Sequence, residues 1–430
     1  MDKITIGVIG FGTVGEGVIR ALLTKPQFLK QKLGVRLVLK AVCDSDPRRK
    51  RELRLMPNIL TSDVNKILHD PDIQIVVELI GGIRPAKEFI LEAFRRGKHV
   101  VTANKALLAE CGEEIFEAAR RANVDLYFEA AVGGGIPIIK TLRESLAANH
   151  IDTLLGIVNG TSNYILSSMS EDGLSFNQAL LEAKKKGYAE RNPALDIKGF
   201  DSAHKLAILV LLSFGRSVAL KDIHVEGIED ISLSDIQYAQ DFGYVIKLLA
   251  IAKNVQGQLE ARVHPTLLSK EHLLSSVKGV YNAIYVHADL VGGTLFYGRG
   301  AGSRPAASSV IADIIDVARN IKNKATNRVP IYVLDKTIKR LRGIAEIESR
   351  YYLRLSVVDR PGGLARIATI LGRHGISIAS VTQKERKQAK IVPVVMMIHD
   401  AKEKNMRLAL DEIDRLSVIK RKTVAIRVER

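Results

Sequence analysis

The most constraining feature of this 430-residue chain is a glycine-rich turn close to its start. The stretch GVIGFGTVGEGVI, residues 7–19, places Gly10, Gly12 and Gly15 directly after an apolar run that is typical of a buried strand. The first glycine allows a tight turn, the second lets the backbone approach a phosphate, and the third allows close helix–strand packing. The helix that follows adds the positive end of its dipole. The sequence therefore predicts a strand–turn–helix unit that binds the pyrophosphate of a dinucleotide.

Strands and helices alternate along the first 138 residues of the chain. The further predicted strands span residues 35–44, 73–82, 98–103 and 125–135, and the predicted helices span residues 14–23, 86–97 and 112–124. This alternation favours an α/β fold with a doubly wound parallel sheet of the Rossmann type. Ligands of such sheets bind outside the carboxyl ends of the strands. Those ends carry the motifs GFGTVG, ELIGG, TANK and EAAVGGG, which makes them candidates for the site.

The remainder of the chain changes character twice. Residues 139–300 contain longer elements of mixed type, which predicts an α+β catalytic and dimerisation domain, and residues 300–335 are expected to pack back onto the first domain. A charged helix is predicted over 334–350 as a bridge. Residues 350–430 then follow the order βαββαβ, which indicates a small ferredoxin-like module.

Composition excludes several classes of protein. The longest apolar run, residues 206–214, is far shorter than the about 20 residues that span a bilayer. Two cysteines, Cys43 and Cys111, are too few for a disulfide framework, so we expect a cytoplasmic protein with no membrane contact. The net charge is +17, but the basic residues are scattered and the chain has no tryptophan, which argues against a nucleic-acid partner.

Two features bear on the choice of nicotinamide cofactor, and they point in opposite directions. Asp44 follows the second strand, where a carboxylate favours NAD by binding the ribose hydroxyls. The run RRKR at 48–51 could instead neutralise the 2′-phosphate of NADP, or simply form a solvated turn. Lys105, in TANK, lies at a strand end where it could contact cofactor or substrate. The sequence leaves NAD and NADP both open.

The segment 184–215 carries the densest set of chemically useful side chains. Asp201 and Lys205 are four residues apart on a predicted helix, so they lie on one face one turn apart. An ordinary ion pair would explain this spacing, but Glu190 and Asp196 lie close by in the sequence. A reductase that acts on an aldehyde needs a proton donor, and a lysine oriented by a carboxylate can serve. The neighbouring carboxylates would hold a substrate ammonium group.

Two further polar stretches have a structural interpretation, and the first of them has a functional one as well. In EAAVGGGIP, residues 129–137, backbone carbonyl oxygens could hold a hard monovalent cation, or the glycines could simply form a turn. The cluster Asn159, Thr161, Ser162 and Asn163 in GIVNGTSNYIL is typical of a capped helix start.

These blocks, in this order, resemble the homoserine dehydrogenase family over nearly the whole chain. The most specific blocks are NGTSNYIL and KGYAERNPALDIKGFDSAHKL, which other nucleotide-binding oxidoreductases lack, and YGRGAGSRPAAS follows at 297–308. The tail DRPGGLARIATILGRHGISIASVTQ, residues 359–383, resembles an ACT module. Two positions depart from the family: Ala306 stands where threonine is common, and Gly363 where ACT modules carry a bulkier aliphatic residue.

The resemblance implies the reversible, NAD- or NADP-dependent oxidation of L-homoserine to L-aspartate 4-semialdehyde, in threonine and methionine biosynthesis. It implies that Lys205 is the acid/base and that Asp201 orients it. It also implies that Glu190, with help from Asp196, binds the substrate amino group, and that Lys105 contacts both the nicotinamide side and the substrate.

The same resemblance implies the remaining contacts. The cofactor would be bound by Gly10, Phe11, Gly12, Thr13, Val14, Gly15, Lys105, Gly187 and Gly302. A structural, sodium-type cation would be bound by Glu129, Val132, Gly134 and Ile136, largely through carbonyl oxygens. A homodimer or higher homo-oligomer is expected, with threonine as effector of the ACT module. The alternative is a catalytically idle amino-acid sensor on the same scaffold.

Overall fold

The computed structural model describes residues 2–48, 51–56, 58–335, 337–383 and 391–429. The chain forms two compact units that alternate along the sequence. The first comprises Met1–Asp152, His204–Lys221 and Tyr281–Thr337, and the second comprises Thr153–Ala203, Asp222–Val280 and Ile338–Arg430.

The strands are β1 (Lys3–Ile9), β2 (Arg36–Cys43), β3 (Leu60–Thr61), β4 (Ile75–Glu78), β5 (His99–Thr102), β6 (Leu126–Tyr127), β7 (Ile151–Ile157), β8 (His224–Val225), β9 (Tyr244–Val255), β10 (Gln258–Ser269), β11 (Tyr281–Ala288), β12 (Gly292–Arg299), β13 (Arg340–Leu341), β14 (Glu348–Val358), β15 (Ile378–Thr382), β16 (Ile391–Lys402) and β17 (Val424–Glu429). The helices are α1 (Thr13–Thr24), α2 (Pro26–Leu33), α3 (Asn65–Leu68), α4 (Ala86–Arg95), α5 (Lys105–Arg121), α6 (Ile138–Lys140), α7 (Gly160–Glu171), α8 (Phe176–Lys185), α9 (Ala194–Ile197), α10 (Phe200–Phe214), α11 (Leu233–Asp241), α12 (Ser303–Asn323), α13 (Gly363–Arg373) and α14 (Glu403–Asp414).

The first unit is built on a parallel sheet in the order β3-β2-β1-β4-β5-β6. Strand β1 is buried from Ile4 onwards, because its apolar side chains face helices on both sides of the sheet. The predicted Rossmann-type sheet is confirmed. The strand order reverses between β1 and β4, which is where ligands of such sheets bind.

Helix α12 packs on α1, next to the glycine turn. The contact is close because Gly17 has no side chain: a Cβ atom there would lie 2.6 Å from the Ser303 hydroxyl and 3.1 Å from the Ala307 methyl group. Val310 and Ile314 of α12 then join the core that β1 and α1 form. The antiparallel hairpin β11–β12 leads into α12.

The second unit contains a mixed sheet in which β7, β9, β10, β17, β14, β16 and β15 are successive neighbours. The tail follows the predicted order βαββαβ, from β14 through α13, β15, β16 and α14 to β17, and its own core forms under α13 and α14. Strand β17 also pairs in parallel with β10, so the sheet of the tail continues the sheet of the preceding domain. Residues 384–390 of the tail lie outside the described residues.

Two predictions of local structure were wrong. Residues 334–350 are not helical in the part that the structure describes: Arg340–Leu341 forms β13, which pairs with β10, and Ile344–Glu346 is a single 3₁₀ turn. Pairing with a sheet outweighs the helix propensity of these residues. The predicted strand 125–135 is strand only at Leu126–Tyr127 and then turns at Glu129–Ala131.

Helix α5 begins at Lys105, seven residues before the predicted start. The Asn104 side chain accepts a hydrogen bond from Leu107 N and caps this earlier start, and the backbone departs from helical angles at Cys111. No helix among the described residues combines the length and the hydropathy needed to cross a membrane. The domain boundaries 1–138, 139–300 and 350–430 stay a prediction.

Candidate active site

The glycine turn leaves room for a ligand at one position only. Gly10 has φ +107°, and a Cβ atom there would lie 2.8 Å from the Leu79 carbonyl group. A Cβ atom on Gly15 would collide with the Gly10 carbonyl oxygen. Close packing therefore explains why positions 10 and 15 are occupied by glycine. A Cβ atom on Gly12 would meet no protein atom within 4 Å, so the space beside Gly12 and the start of α1 fits an approaching phosphate.

Asp44 connects the glycine turn to the end of β2. Its carboxylate accepts hydrogen bonds from Phe11 N at 2.8 Å and Asp46 N at 2.9 Å, and it forms a 2.8 Å ion pair with Arg51. The Arg51 guanidinium donates to Phe11 O and lies over the Phe11 ring. Burial raises the pKa of Asp44, but the backbone donors and Arg51 bring it below its ordinary value. Of the run RRKR, Arg51 is thus a structural partner of Asp44, while Arg49 and Lys50 lie outside the described residues.

The motifs ELIGG and TANK are held together by a residue that the sequence analysis did not single out. Glu78, fully buried at the end of β4, accepts hydrogen bonds from Ile80 N at 2.8 Å and from the Thr102 hydroxyl at 2.6 Å. Asn104 donates to Gly82 O at 2.6 Å. Burial raises the pKa of Glu78. Lys105 is the first residue of α5, so this cluster fixes the backbone from which its side chain extends.

The predicted cation residues lie in the turn that follows β6. The Glu129 carboxylate accepts hydrogen bonds from Ile139 N and Lys140 N, both at 2.8 Å, and so caps α6. Gly134 O accepts from the Ser309 hydroxyl, and Ile136 O from Ile138 N. The described residues contain no cluster of three metal-ligating His, Cys, Asp or Glu side chains. Any cation here would depend on carbonyl oxygens, and the site of Glu129, Val132, Gly134 and Ile136 stays a prediction.

In the second unit, one asparagine joins two of the predicted substrate carboxylates. Asn159 Nδ2 donates to Asp196 Oδ1 at 2.7 Å and to Asp201 Oδ2 at 2.8 Å. Its Oδ1 accepts from Ser162 N, which caps α7, as the sequence predicts for this stretch. The Ser162 hydroxyl donates to Asp196 O at 2.9 Å. The structure thus brings together carboxylates that the sequence places on two separate segments.

Asp201 and Lys205 lie one turn apart on α10, as predicted, and both side chains are buried. Burial of both distinguishes them from an ordinary surface ion pair. Glu190 lies exposed in the loop between α8 and α9, and Gly187, in the same loop, has φ +72° with no protein atom near a Cβ position. Gly302 precedes α12 with φ +116°.

Comparison with known proteins decides the family. Residues 10–129 match the model of the homoserine dehydrogenase NAD-binding domain, residues 137–315 the model of homoserine dehydrogenase, and residues 351–418 the ACT domain. Homoserine dehydrogenase of Neisseria gonorrhoeae is 42% identical over 100% of this chain and 99% of that protein. The chain belongs to the homoserine dehydrogenase family. It is an NAD(P)-dependent oxidoreductase, as the sequence predicts.

Solved structures of the family agree. The crystal structure of a homoserine dehydrogenase from Thiobacillus denitrificans is 41% identical, has a TM-score of 0.92 and covers 100% of this chain and 99% of that one. A hyperthermophilic archaeal homoserine dehydrogenase in complex with NADPH is 27% identical, with a TM-score of 0.61 over 73% of this chain and 97% of that one. A catalytically idle sensor receives no support, since the full-length relatives are homoserine dehydrogenases.

Proposed function

We propose that this homoserine dehydrogenase works through Lys205 as the acid/base and through a set of carboxylates that bind the substrate ammonium group. The observation that supports this most is that Asn159 donates hydrogen bonds to both Asp196 and Asp201. Asp201 lies one helical turn before Lys205 on α10. In the reductive direction Lys205 gives a proton to the aldehyde oxygen of L-aspartate 4-semialdehyde, and in the oxidative direction it takes the proton of the L-homoserine hydroxyl group. Asp201 orients the lysine.

The remaining residues of the proposed site bind the substrate or the cofactor. Glu190, with help from Asp196, binds the α-ammonium group, and Lys105 contacts the nicotinamide side and the substrate. The cofactor is bound by Gly10, Phe11, Gly12, Thr13, Val14, Gly15, Lys105, Gly187 and Gly302. When bound, NAD or NADP accepts or returns the hydride at C4 of the substrate. The open space beside Gly12 supports this assignment.

Four further properties belong to the proposal. A structural, sodium-type cation binds the carbonyl oxygens around Gly134. The protein is a homodimer or larger homo-oligomer, and it works in the reducing cytoplasm, which suits its free thiols. Threonine is the proposed effector of the ACT domain. Packing does not require glycine at position 363, because a Cβ atom there would lie 3.6 Å from Val357, an ordinary van der Waals distance.

A substrate analogue tests the ammonium site without any mutation. 4-Hydroxybutyrate keeps the hydroxyl and carboxylate groups of homoserine but lacks the amino group. Because this compound lacks the positive charge that the carboxylates of Glu190 and Asp196 would attract, kcat/KM should fall by about 100-fold or more relative to homoserine. The measurement is the nicotinamide absorbance change under identical conditions for both compounds. Equal kcat/KM values would contradict the assignment of Glu190 and Asp196.

The pair Asp44–Arg51 is expected to set the preference between NAD and NADP. Arg51→Met leaves the Asp44 charge without its partner, and this charge repels a 2′-phosphate, so the ratio of kcat/KM for NADP to that for NAD should fall by about tenfold. Asp44→Asn keeps the acceptor for Phe11 N but frees the Arg51 charge, and the ratio should rise. The double variant serves as control, because it removes both charges. A ratio unchanged in both single variants would refute the expectation.

A further inference from the structure

Asn159 is placed and oriented by its own helix. Asn159 is 5% exposed and directly precedes the first residue of α7. Its Oδ1 accepts the 2.8 Å hydrogen bond from Ser162 N, so the oxygen end of the amide is turned towards the helix start. The two N–H groups of Nδ2 are therefore directed at the two carboxylates, Asp196 and Asp201, at 2.7 and 2.8 Å. The opposite orientation of the amide would bring an oxygen against two negative oxygens.

The two carboxylates come from different elements and would otherwise repel each other. Asp196 belongs to the short helix α9 and Asp201 to α10. An amide supplies one donor to each without adding charge. A lysine or arginine at this position would also connect them, but it would neutralise the negative charge that a substrate ammonium group needs. A neutral double donor fixes their positions and preserves their charge.

Two further contacts support the same arrangement. The Ser162 hydroxyl donates to the backbone oxygen of Asp196 at 2.9 Å, and the Thr161 hydroxyl donates to the backbone oxygen of Tyr188 at 2.6 Å, in the loop that carries Glu190. The start of α7 is thus bonded to the segments that carry three of the proposed substrate residues. A helix cap alone would need only the Asn159 oxygen.

We infer that Asn159 is a positioning residue for the reaction, which acts by holding Asp196 and Asp201 at a fixed separation. The inference rests on the proposed function, since it gives these carboxylates their roles. In this role Asn159 acts through the two carboxylates to which it donates. Its effect passes through the ammonium site, by way of Asp196, and through the orientation of Lys205, by way of Asp201.

The test is the variant Asn159→Ser. Serine caps a helix as well as asparagine does, so the start of α7 is kept while both donors to the carboxylates are lost. We expect kcat/KM for homoserine to fall by about 10- to 100-fold, the range for lost hydrogen bonds to charged groups. The acid limb of the pH profile should move to higher pH, because the charged carboxylates lose a stabilising donor. The dissociation constant of the cofactor should stay within about twofold.

The control is Ser175→Ala, which removes the cap of the neighbouring helix α8 and touches neither carboxylate. It should lower the melting temperature without moving the pH profile. Should Asn159→Ser fail to fold, Asn159→Thr keeps a capping oxygen and removes the amide donors without adding charge, with the same expected result. Two results would overturn the inference. One is an unchanged kcat/KM in an active enzyme, and the other is a fall in kcat/KM that is matched by an equal weakening of cofactor binding. A wild-type protein that does not oxidise homoserine would overturn the proposed function, and the inference with it.

Discussion

Replacing Lys205 with methionine is expected to lower kcat for homoserine oxidation by about 10²- to 10⁴-fold, the range that general acid–base groups contribute. The side chain is 8% exposed and lies one turn from Asp201 on α10. Methionine has a similar length and fills the same space, but it can neither take nor give a proton. The cofactor dissociation constant should stay within about twofold, because the glycine turn is untouched. Stopped-flow and steady-state nicotinamide absorbance measure both quantities.

A chemical rescue makes this prediction sharper. In Lys205→Ala, added ethylamine should restore part of the turnover, because it supplies an amine in the space left by the side chain. The matched control is Lys221→Met, which removes an exposed lysine from the segment after α10 and should leave kcat unchanged. Retention of kcat in Lys205→Met would show that another group transfers the proton.

Replacing Arg427 with methionine is expected to lower the free energy of unfolding by about 3–5 kcal/mol, the usual cost of removing one partner from a buried ion pair. Arg427 lies in strand β17 and is 6% exposed. Its guanidinium donates twice to Glu226, at 2.8 and 2.9 Å, and twice to Glu403, at 2.8 and 2.6 Å. The variant removes the cation that Glu226 and Glu403 share, while Arg407 remains 2.9 Å from Glu403 and His224 remains 2.7 Å from Glu226. The measurement is urea unfolding of the full chain.

The pH dependence gives an independent check on Arg427. Burial raises the pKa of Glu403 and of Glu226, but hydrogen bonds and the Arg427 charge bring both below their ordinary values. Carboxylates with a lowered pKa stabilise the folded state above the pKa of the unfolded chain, and this contribution is lost as the pH falls through the folded-state value. The difference between wild type and Arg427→Met should therefore be full at pH 7 and shrink below about pH 4.

Arg421→Met, at an exposed position shortly before β17, is the control for Arg427 and should change the free energy of unfolding by less than about 0.5 kcal/mol. An equal loss of stability in Arg421→Met and Arg427→Met would contradict the stabilising role of the buried ion pairs. Adding Glu226→Gln and Glu403→Gln to Arg427→Met should recover part of the stability, because the uncompensated charges are then gone.

Local patterns in the sequence were enough to predict the architecture. The apolar run before Gly10 and the glycine spacing predicted β1, the turn and α1, since each depends on neighbours in the chain. The alternation of periods in the tail predicted the order βαββαβ correctly. Asp201 and Lys205 could be placed on one helix face because four residues make about one turn.

Contacts between distant segments could not be predicted in this way. The segment 334–350 became strand and turn because Arg340 and Leu341 pair with β10, and nothing in their own composition indicates that partner. Arg51 was left open between a phosphate ligand and a solvated turn, since its partner Asp44 depends on the path of the loop. Glu78 gave one signal, a carboxylate at the end of a buried strand, but its partners Thr102 and Asn104 belong to the next βα connection.

The central claim is that this chain oxidises homoserine by the groups assigned here. The most direct measurement is the absorbance change of the nicotinamide cofactor with L-homoserine, run with NAD and with NADP, for wild type and Lys205→Met. We expect rapid turnover by the wild type with at least one cofactor, and near-complete loss of turnover in the variant while cofactor still binds. No turnover by a folded wild-type protein with either cofactor would contradict it.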